Sequence, residues 1–581
     1  MSDSLTPSNP QTFKHQTKNV FFITFDPQNQ VPHMSSSGSS LYRKRSIFTV
    51  VEAVIIIGLA LVPLFANFPY RVNIFLSWEG AYRMSTGQVP YKDFGLPLGY
   101  GYWIIPSIFF RLFGPQLITL VKAQVFINII AGFSFRHILK RLELAPAIRT
   151  LSVLVFVLSY SFFNFWPWYN HTVIVYELAG LAFLFQYLTG PQTRARLLWL
   201  LPAALFVFLS IFTKQDGGGL ALLLCLALLL YNSIYEKSWL GIPAFLGFLV
   251  VVAAVFILPL SGYGFSYWFN HGQPPHNSRL AVSDFAGEIL GGSQWIKFYV
   301  LLMVLSLTPA LRNFKAFWEN KRAMLFTLLT LGILTEAALF QVTSYTPPDN
   351  NIFFHSFAFA FLCAQFSSIQ QIDLGRPRVF IGAALLVLLW WSGVFWKYID
   401  RVFTRVFPAA EVAAVPGAEN VVSRNNYMLT TDTGVIVPTS EWVFSRLPEF
   451  KKIYMPSSTV EGIERLLQLP VVKEKKDSIK VLNMTELTPL AHAMPFRLET
   501  GQDYPLWYHL GVGMFNRQLE AFTQKVRGHH YDLVLYEYAP GLNNFFPFAL
   551  RKELQQHYRL AGTFLAPRQP TTATIEVYIK P

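Results

Sequence analysis

Residues 43–66 read Arg43-Lys44-Arg45-Ser46 and then IFTVVEAVIIIGLALVPLFA, a run of 20 residues with Glu52 as its one charge. At about 1.5 Å per helical residue, such a run crosses the roughly 30 Å hydrocarbon core of a bilayer. The three cations on its leading edge give it a direction, because short connections rich in Lys and Arg stay in the cytoplasm. Residues 1–42 are rich in Ser, Asn, Gln and Pro, a composition that buries no core and reads as a disordered tail. The apolar run begins behind that tail, so no cleavable signal peptide is expected.

The same pattern recurs along the chain. Apolar segments of spanning length fall at 47–66, 115–135, 150–166, 172–189, 197–213, 219–234, 241–260, 295–311, 323–343, 352–369 and 379–396, about eleven in all. Every second connection is basic: Arg136, Lys140, Arg141 and Arg149 after the second, Arg194 and Arg196 after the fourth, and Lys237 after the sixth. Arg312, Lys315, Lys321 and Arg322 follow the eighth, and Arg376 and Arg378 the tenth. The alternate connections are poor in cations, with none at 166–171, Lys214 alone at 214–218 and Arg279 alone at 261–293. An odd number of spans places everything after residue 397 on the outer side, with the loop at 67–114. The apolar stretch 99–113 is short and carries Arg111, so it reads as a helix lying in the interface.

Composition divides the chain in the same place. Of 581 residues, 14% are charged and 52% hydrophobic, against about 25% charged in an ordinary soluble domain. This excludes a disordered chain, a fibre and a simple soluble enzyme. The net charge is +14, of which residues 398–581 carry only +2, from 20 basic and 18 acidic side chains. The remaining positive charge sits in the connections between spans, so no nucleic-acid partner is expected. The two cysteines, Cys225 and Cys363, lie in apolar runs, and residues 398–581 have none. That last third reads as a small α/β domain, with amphipathic segments at 460–469 and 510–526 and strand-like ones at 479–483, 531–536 and 574–579. The expected fold is therefore a polytopic α-helical membrane protein with a C-terminal soluble α/β domain.

The uncommon polar residues gather in the outer connections: Trp78-Glu79-Gly80, Tyr91-Lys92-Asp93-Phe94-Gly95, Lys214-Gln215-Asp216-Gly217-Gly218, His271, His276, Arg279, Asp284, Asp349 and His355. Carboxylates, cations and histidines on one membrane face suit a reaction in which a lipid-borne group meets a water-soluble one. Glu52, Glu177 and Glu336 stand within or near spans, where ionisable groups are costly and often functional. Trp166-Pro167-Trp168-Tyr169-Asn170-His171 reads as an interfacial aromatic belt or a sugar-stacking surface. His271 and His276 read as loop residues. No Cys or Asp completes a ligand set around them, so neither a metal nor any other cofactor is indicated.

Trp78-Glu79-Gly80-Ala81-Tyr82-Arg83, Gly87-Gln88-Val89-Pro90-Tyr91-Lys92-Asp93-Phe94, Pro97 and Leu112-Phe113-Gly114 together resemble the first outer loop of the GT-C glycosyltransferases. These are multi-span enzymes that use polyprenyl-phosphate-linked sugars, among them protein mannosyltransferases and the aminoarabinose transferase of lipid A. Thr213-Lys214-Gln215-Asp216-Gly217 resembles a second motif of bacterial members, and residues 347–355 a looser third one. The resemblance implies a lipid-linked sugar donor, contact with membrane lipids, an inverting transfer on the outer face of the cytoplasmic membrane, and a glycan, lipid or protein acceptor. In one place the sequence departs from the pattern. Many relatives carry an Asp-Glu pair at the start of the first motif, and here Trp78 stands at the Asp position before Glu79.

The residue types suit that chemistry. A sugar phosphate already carries a good leaving group and needs cations rather than a general acid, whereas a glycosidase needs two cooperating carboxyls. One carboxylate then suffices to deprotonate the acceptor hydroxyl, and Glu79 or Asp93 supplies it. Lys214, beside Asp216, forms a phosphate clamp with Arg83 or His355. Gly501-Gln502-Asp503-Tyr504-Pro505-Leu506-Trp507-Tyr508-His509 either faces the site and binds acceptor or packs as a loop core. A surface-polysaccharide polymerase or ligase and a lipid-linked glycan transporter are the competing functions. A transporter would carry its charges near the midplane of the spans rather than in the outer loops. A non-catalytic scaffold is a further alternative, raised by Trp78.

Overall fold

The computed structural model describes residues 38–70, 74–161, 164–263, 281–344, 353–393, 395–396, 437, 441–494, 496–502, 504–506, 508–510, 512–539, 545–567 and 573–581. The chain opens with helix α1 (Gly38–Leu61), a two-residue strand β1 (Phe68–Pro69), α2 (Ile74–Ser85) and α3 (Ile104–Phe113). The bundle continues through α4 (Leu117–Arg141), α5 (Pro146–Phe156), α6 (Tyr169–Thr189), α7 (Leu200–Ile211), α8 (Gln215–Glu236) and α9 (Gly241–Ile257). It is completed by α10 (Val282–Gly291), α11 (Gln294–Leu311), α12 (Phe314–Glu319), α13 (Lys321–Ser344), α14 (Phe353–Ile369) and α15 (Pro377–Trp390).

Each of the eleven expected spans is a helix. Eight are long and apolar enough to cross a membrane, and three are shorter apolar helices, Pro146–Ser159, Phe354–Ile369 and Pro377–Trp390. Their outer surface exposes Val50, Val54, Val250, Leu385 and Leu386, as helices do when lipid rather than water surrounds them. This is a multi-pass membrane protein. The short helix α3 buries Pro106, Ser107 and Phe110 and exposes Ile108, Leu112 and Phe113, the one-sided pattern of a helix lying along a surface.

One end of the bundle is tied by ion pairs. Fully buried Glu52 accepts from Arg136 Nε at 2.6 Å, Arg149 Nε at 2.9 Å and Thr150 Oγ1 at 2.9 Å, which pins α1 to α4 and α5. Glu236 pairs with Arg196 and with Lys321 Nζ at 2.6 Å, and Arg322 with Glu143 at 2.6 Å. The basic residues of successive connections thus meet on one face, and three carboxylates neutralise part of their charge. A buried pair of this kind costs about 3–5 kcal/mol when one partner is removed.

The C-terminal part contains β2 (Trp442–Phe444), β3 (Ile453–Pro456), α16 (Ser457–Leu467), α17 (Pro470–Lys475), β4 (Val481–Met484), α18 (Leu490–Ala493), α19 (Phe515–Arg527), β5 (Leu533–Tyr538), α20 (Phe548–His557), β6 (Arg559–Leu565) and β7 (Thr574–Ile579). Its main sheet has the order β4-β5-β7-β6, with β4 and β5 parallel and the other pairs antiparallel. The second sheet has the order β1-β3-β2 and joins the two halves of the chain. Phe68 pairs with Ile453 and Pro69 with Tyr454 in parallel register. The strand that leaves the first span is therefore an edge of the C-terminal sheet, and one hydrophobic core runs from Phe68, Trp78 and Trp103 to Phe450, Ile453 and Leu535. The C-terminal part lies on the same side of the bundle as residues 67–114, the side opposite the ion pairs.

Candidate active site

Helix α2 carries the first motif, and packing decides which way its residues point. Trp78 is fully buried, stacks on Tyr82 at 4.6 Å and donates from Nε1 to the Pro115 carbonyl at 2.8 Å. Gly80 lies against the Trp103 indole, where a Cβ would stand 2.1 Å from a ring carbon, so no side chain fits there. With Trp78 and Gly80 packed inward, Glu79 turns toward the C-terminal part. Trp78 is thus a packing residue, and the carboxylate that faces the C-terminal part is its neighbour Glu79.

Arg83 fixes Glu79 from one helical turn away. Its Nε donates to Glu79 Oε1 at 2.9 Å, and Nη1 donates to Gln88 Oε1 and to the main-chain carbonyl of Glu499, each at 2.8 Å. The guanidinium lies 4.8 Å from the Tyr504 ring centre and 5.6 Å from that of Phe94. Arg83 is wholly buried, whereas the Glu79 side chain keeps 15% of its surface open. Burial raises the Tyr504 hydroxyl well above its ordinary value against the pull of Arg83, so it stays neutral. Arg83 was expected to bind substrate. In the structure its Nε and Nη1 are engaged by Glu79, Gln88 and the Glu499 carbonyl.

Asp93 organises a turn. Its Oδ2 accepts from the Val89 amide at 2.7 Å, and its main-chain carbonyl accepts from Gly501 N–H at 2.8 Å. Gly95 then exchanges two hydrogen bonds with the C-terminal part, donating to the Tyr504 carbonyl at 2.7 Å and accepting from Leu506 N–H at 2.9 Å. The stretch beginning at Gly501 therefore faces the first loop and adds a short strand-like contact to it.

Lys214 caps the start of α8. Its Nζ lies 3.3 Å from Asp216 Oδ2 and over the rings of Phe340 at 4.6 Å and Tyr169 at 5.7 Å. Burial lowers the pKa of this ammonium and Asp216 pulls it back up. Gln215 reaches the Pro97 carbonyl at 3.2 Å, and Gly99 packs on the Phe212 carbonyl so closely that a Cβ would lie 1.6 Å from the oxygen. Between Glu79 and Lys214 stand aromatic rings: Trp103 touches Tyr102 at 4.4 Å, Tyr102 touches Tyr169 at 5.9 Å, and Tyr169 lies under the ammonium. A run of ring contacts thus extends from Trp103, which packs against Gly80, to the ammonium of Lys214, with Tyr169 of the expected belt as part of it.

His355 sits apart from both. It is buried, its Nδ1 lies 2.7 Å from the Tyr299 hydroxyl, and Trp295, Phe354, Trp390 and Trp391 surround its ring. Asp284 is in the first turn of α10. His271, His276, Arg279 and Asp349 lie outside the described residues. Glu177 and Glu336 lie near each other and near Cys225 inside the bundle. Among the described residues no group of three His, Cys, Asp or Glu side chains could hold a metal ion.

A small cleft opens between α2 and the C-terminal part. Phe75 and Glu79 form one wall, and the end of β4, from Leu482 to Thr485, forms another. Tyr504, Pro505, Leu506, Tyr508, Phe522, Phe545 and Phe546 complete it. Among the described residues that line it, Glu79 is the one carboxyl. Sequence reasoning missed the contributions of Asn483, Thr485 and Phe546, which reach the site only through the packing of the sheet.

Fold and site together define a multi-pass membrane protein whose strand-bearing C-terminal part closes over a carboxylate on its first loop. No protein-family model matches the chain, and no curated protein matches it. Among solved structures it is similar to ArnT from Cupriavidus metallidurans in the apo state, at 11% identity over 94% of this chain and 98% of that one, with a TM-score of 0.48. It is also similar to that ArnT bound to undecaprenyl phosphate, at 11% identity over the same shares, with a TM-score of 0.45. A third similarity is to the Archaeoglobus fulgidus oligosaccharyltransferase in complex with Zn and sulfate, at 11% identity over 60% of this chain and 51% of that one, with a TM-score of 0.36.

Proposed function

We propose that this protein is a membrane glycosyltransferase that moves a sugar from a polyprenyl-phosphate donor to an acceptor on the outer face of the cytoplasmic membrane. The observation that carries the reading is Glu79: a carboxylate on the first loop, braced by buried Arg83 and open to a cleft beneath the C-terminal part. In this account the acceptor oxygen attacks the anomeric carbon while the bond from that carbon to the phosphate oxygen breaks. The acceptor proton passes to Glu79, and polyprenyl phosphate leaves with the electron pair. A single displacement inverts the anomeric centre. Lys214 steadies the phosphate as its charge grows.

Asp93 fits the base poorly in comparison, because its carboxylate already accepts a backbone hydrogen bond and holds a turn. His355 is likewise a weaker partner for the phosphate, being enclosed by aromatic rings away from Lys214. Mass spectrometry of envelope glycans and lipids from cells with and without the chain tests the reading. Loss of one glycosylated species on deletion is the expected result. An unchanged envelope, with an accumulated or mislocated lipid-linked glycan, would favour a transporter.

A further inference from the structure

We infer that Glu499 is a positioning residue for the Glu79 carboxylate: its side chain pins its own main-chain carbonyl, and that carbonyl sets Arg83. The inference rests on the transferase reading above and adds the means by which the C-terminal part governs the base.

A carbonyl in an irregular segment has to be aimed by something other than a helix or a sheet. Residues 496–500 lie outside every helix and strand, and among the described residues they make no main-chain to main-chain hydrogen bond. The next such tie along the chain is Gly501 N–H to the Asp93 carbonyl at 2.8 Å. Ordering a residue of this kind costs conformational entropy, and the contacts that offset it at Glu499 come from the side chain. Oε2 accepts from the Tyr531 hydroxyl at 2.9 Å, and Oε1 pairs with Lys525 Nζ.

The two anchors differ in strength. Lys525 projects from α19 and keeps 40% of its side-chain surface open, and an ion pair so exposed contributes little. Tyr531 is buried two residues before β5, and the Tyr558 hydroxyl both donates to its carbonyl at 3.0 Å and accepts from its N–H at 3.1 Å. Burial, and then the Glu499 charge beside it, raise the Tyr531 hydroxyl well above its ordinary value, so it stays a donor. Tyr531 is therefore the principal anchor. From there the contacts run in series, with the Glu499 carbonyl accepting from Arg83 Nη1 at 2.8 Å and Arg83 Nε donating to Glu79 Oε1 at 2.9 Å. A guanidinium donates only in its own plane. Without the Glu499 carbonyl that plane can turn about its remaining bonds, and the Glu79 carboxylate turns with it.

Single-turnover sugar transfer and donor binding by the full chain in lipid nanodiscs test this, together with solid-state NMR of the same preparation labelled with ¹⁵N-arginine. The Arg83 Nε–H signal is assigned by its loss in Arg83→Lys. Glu499→Ala should slow transfer by about ten- to a hundredfold, leave donor affinity unchanged, and shift or broaden the Arg83 signal. Glu499→Gln keeps an acceptor for Tyr531 and should restore both the rate and the signal. Tyr531→Phe, which removes the donor and keeps the ring, should repeat the alanine result more mildly. In a Glu79→Gln background Glu499→Ala should slow transfer no further, because both substitutions act on one carboxylate. A lowered melting temperature with no change of rate in the folded protein, a full additional loss in the Glu79→Gln background, or an Arg83 signal unmoved by Glu499→Ala would overturn the proposal. A parent chain that transfers no sugar would sink the transferase reading, and the Arg83 signal would then still decide whether Glu499 positions the carboxylate.

Discussion

Arg83 donates from Nη1 to the main-chain carbonyl of Glu499, 416 residues further along the chain, while its Nε holds the Glu79 carboxylate. One buried guanidinium thus ties the first loop to the C-terminal part and sets the orientation of the proposed base. The contact exists because Phe68 pairs with Ile453 and Gly95 with Leu506, which bring the two segments together along their backbones.

Arg83 is therefore expected to be irreplaceable by lysine. An ammonium cannot serve Glu79, Gln88 and the Glu499 carbonyl in one plane, and Arg83→Ala leaves a carboxylate and a carbonyl unpaired. We expect Arg83→Ala to cost about 3–5 kcal/mol and Arg83→Lys somewhat less, read as lowered melting temperatures in nanodiscs. A lysine variant as stable and active as the parent would contradict the positioning role.

Trp78 gives a test of whether the position before Glu79 is a packing position. Its indole fills the space between Tyr82 and Phe110 and reaches the Pro115 carbonyl. Trp78→Asp creates an acidic pair with Glu79 but opens a cavity and buries a charge, at a cost of at least about 3–5 kcal/mol. The variant should accumulate poorly and gain no activity. A well-folded, more active Trp78→Asp protein would show that the site had lost its natural base.

Lys214 predicts a pH dependence. Burial lowers its pKa below the ordinary lysine value, with Asp216 opposing, so the ammonium is lost at a lower pH than on a free lysine. Donor affinity should be full on the acid side and fall as the pH rises through that lowered pKa. For stability the sign is opposite: the charged form is penalised in the folded state, so this group's contribution improves between the folded and the unfolded pKa. Lys214→Arg should remove the alkaline fall in donor affinity, and Lys214→Ala should weaken affinity at every pH. A pH-independent affinity in the parent would argue against a clamp.

Topology offers the fourth test. With the basic connections on the cytoplasmic side, reporters fused within residues 67–114 and after Pro581 should both report the outer compartment. A pair that disagrees would contradict the joint sheet of Phe68 with Ile453, and a pair reporting the cytoplasm would invert the orientation.

Much of the bundle was legible because lipid imposes a length and a composition on each span, and the alternating Lys and Arg then impose parity. The strands at 481–484, 533–538 and 574–579 were legible too, being buried and rich in β-branched and aromatic residues. β1 was not, because two residues, Phe68-Pro69, become a strand only by pairing with Ile453 and Tyr454. β6 was missed for a different reason: Arg559 to Thr563 are exposed, so no buried alternation marks the strand. In the site, Glu79 and Arg83 share a helix face and could be read four residues apart. Glu499, Asn483 and Phe546 join them through long-range packing, which leaves no local signal. The expected union of Lys214 with His355 or Arg83 was not found, since each of the three is held by a separate set of neighbours.

The central claim is that Glu79 takes the acceptor proton. The most direct measurement is single-turnover transfer from a polyprenyl-phosphate sugar by the nanodisc protein, comparing the parent with Glu79→Gln and Asp93→Asn. The amide keeps the shape of the side chain and removes its basicity, so Glu79→Gln should slow transfer by about 10²–10⁴, with donor binding retained. Asp93→Asn keeps an acceptor for the Val89 amide and should transfer at nearly the parent rate. Parental rates in Glu79→Gln, or the large loss appearing in Asp93→Asn instead, would contradict the account.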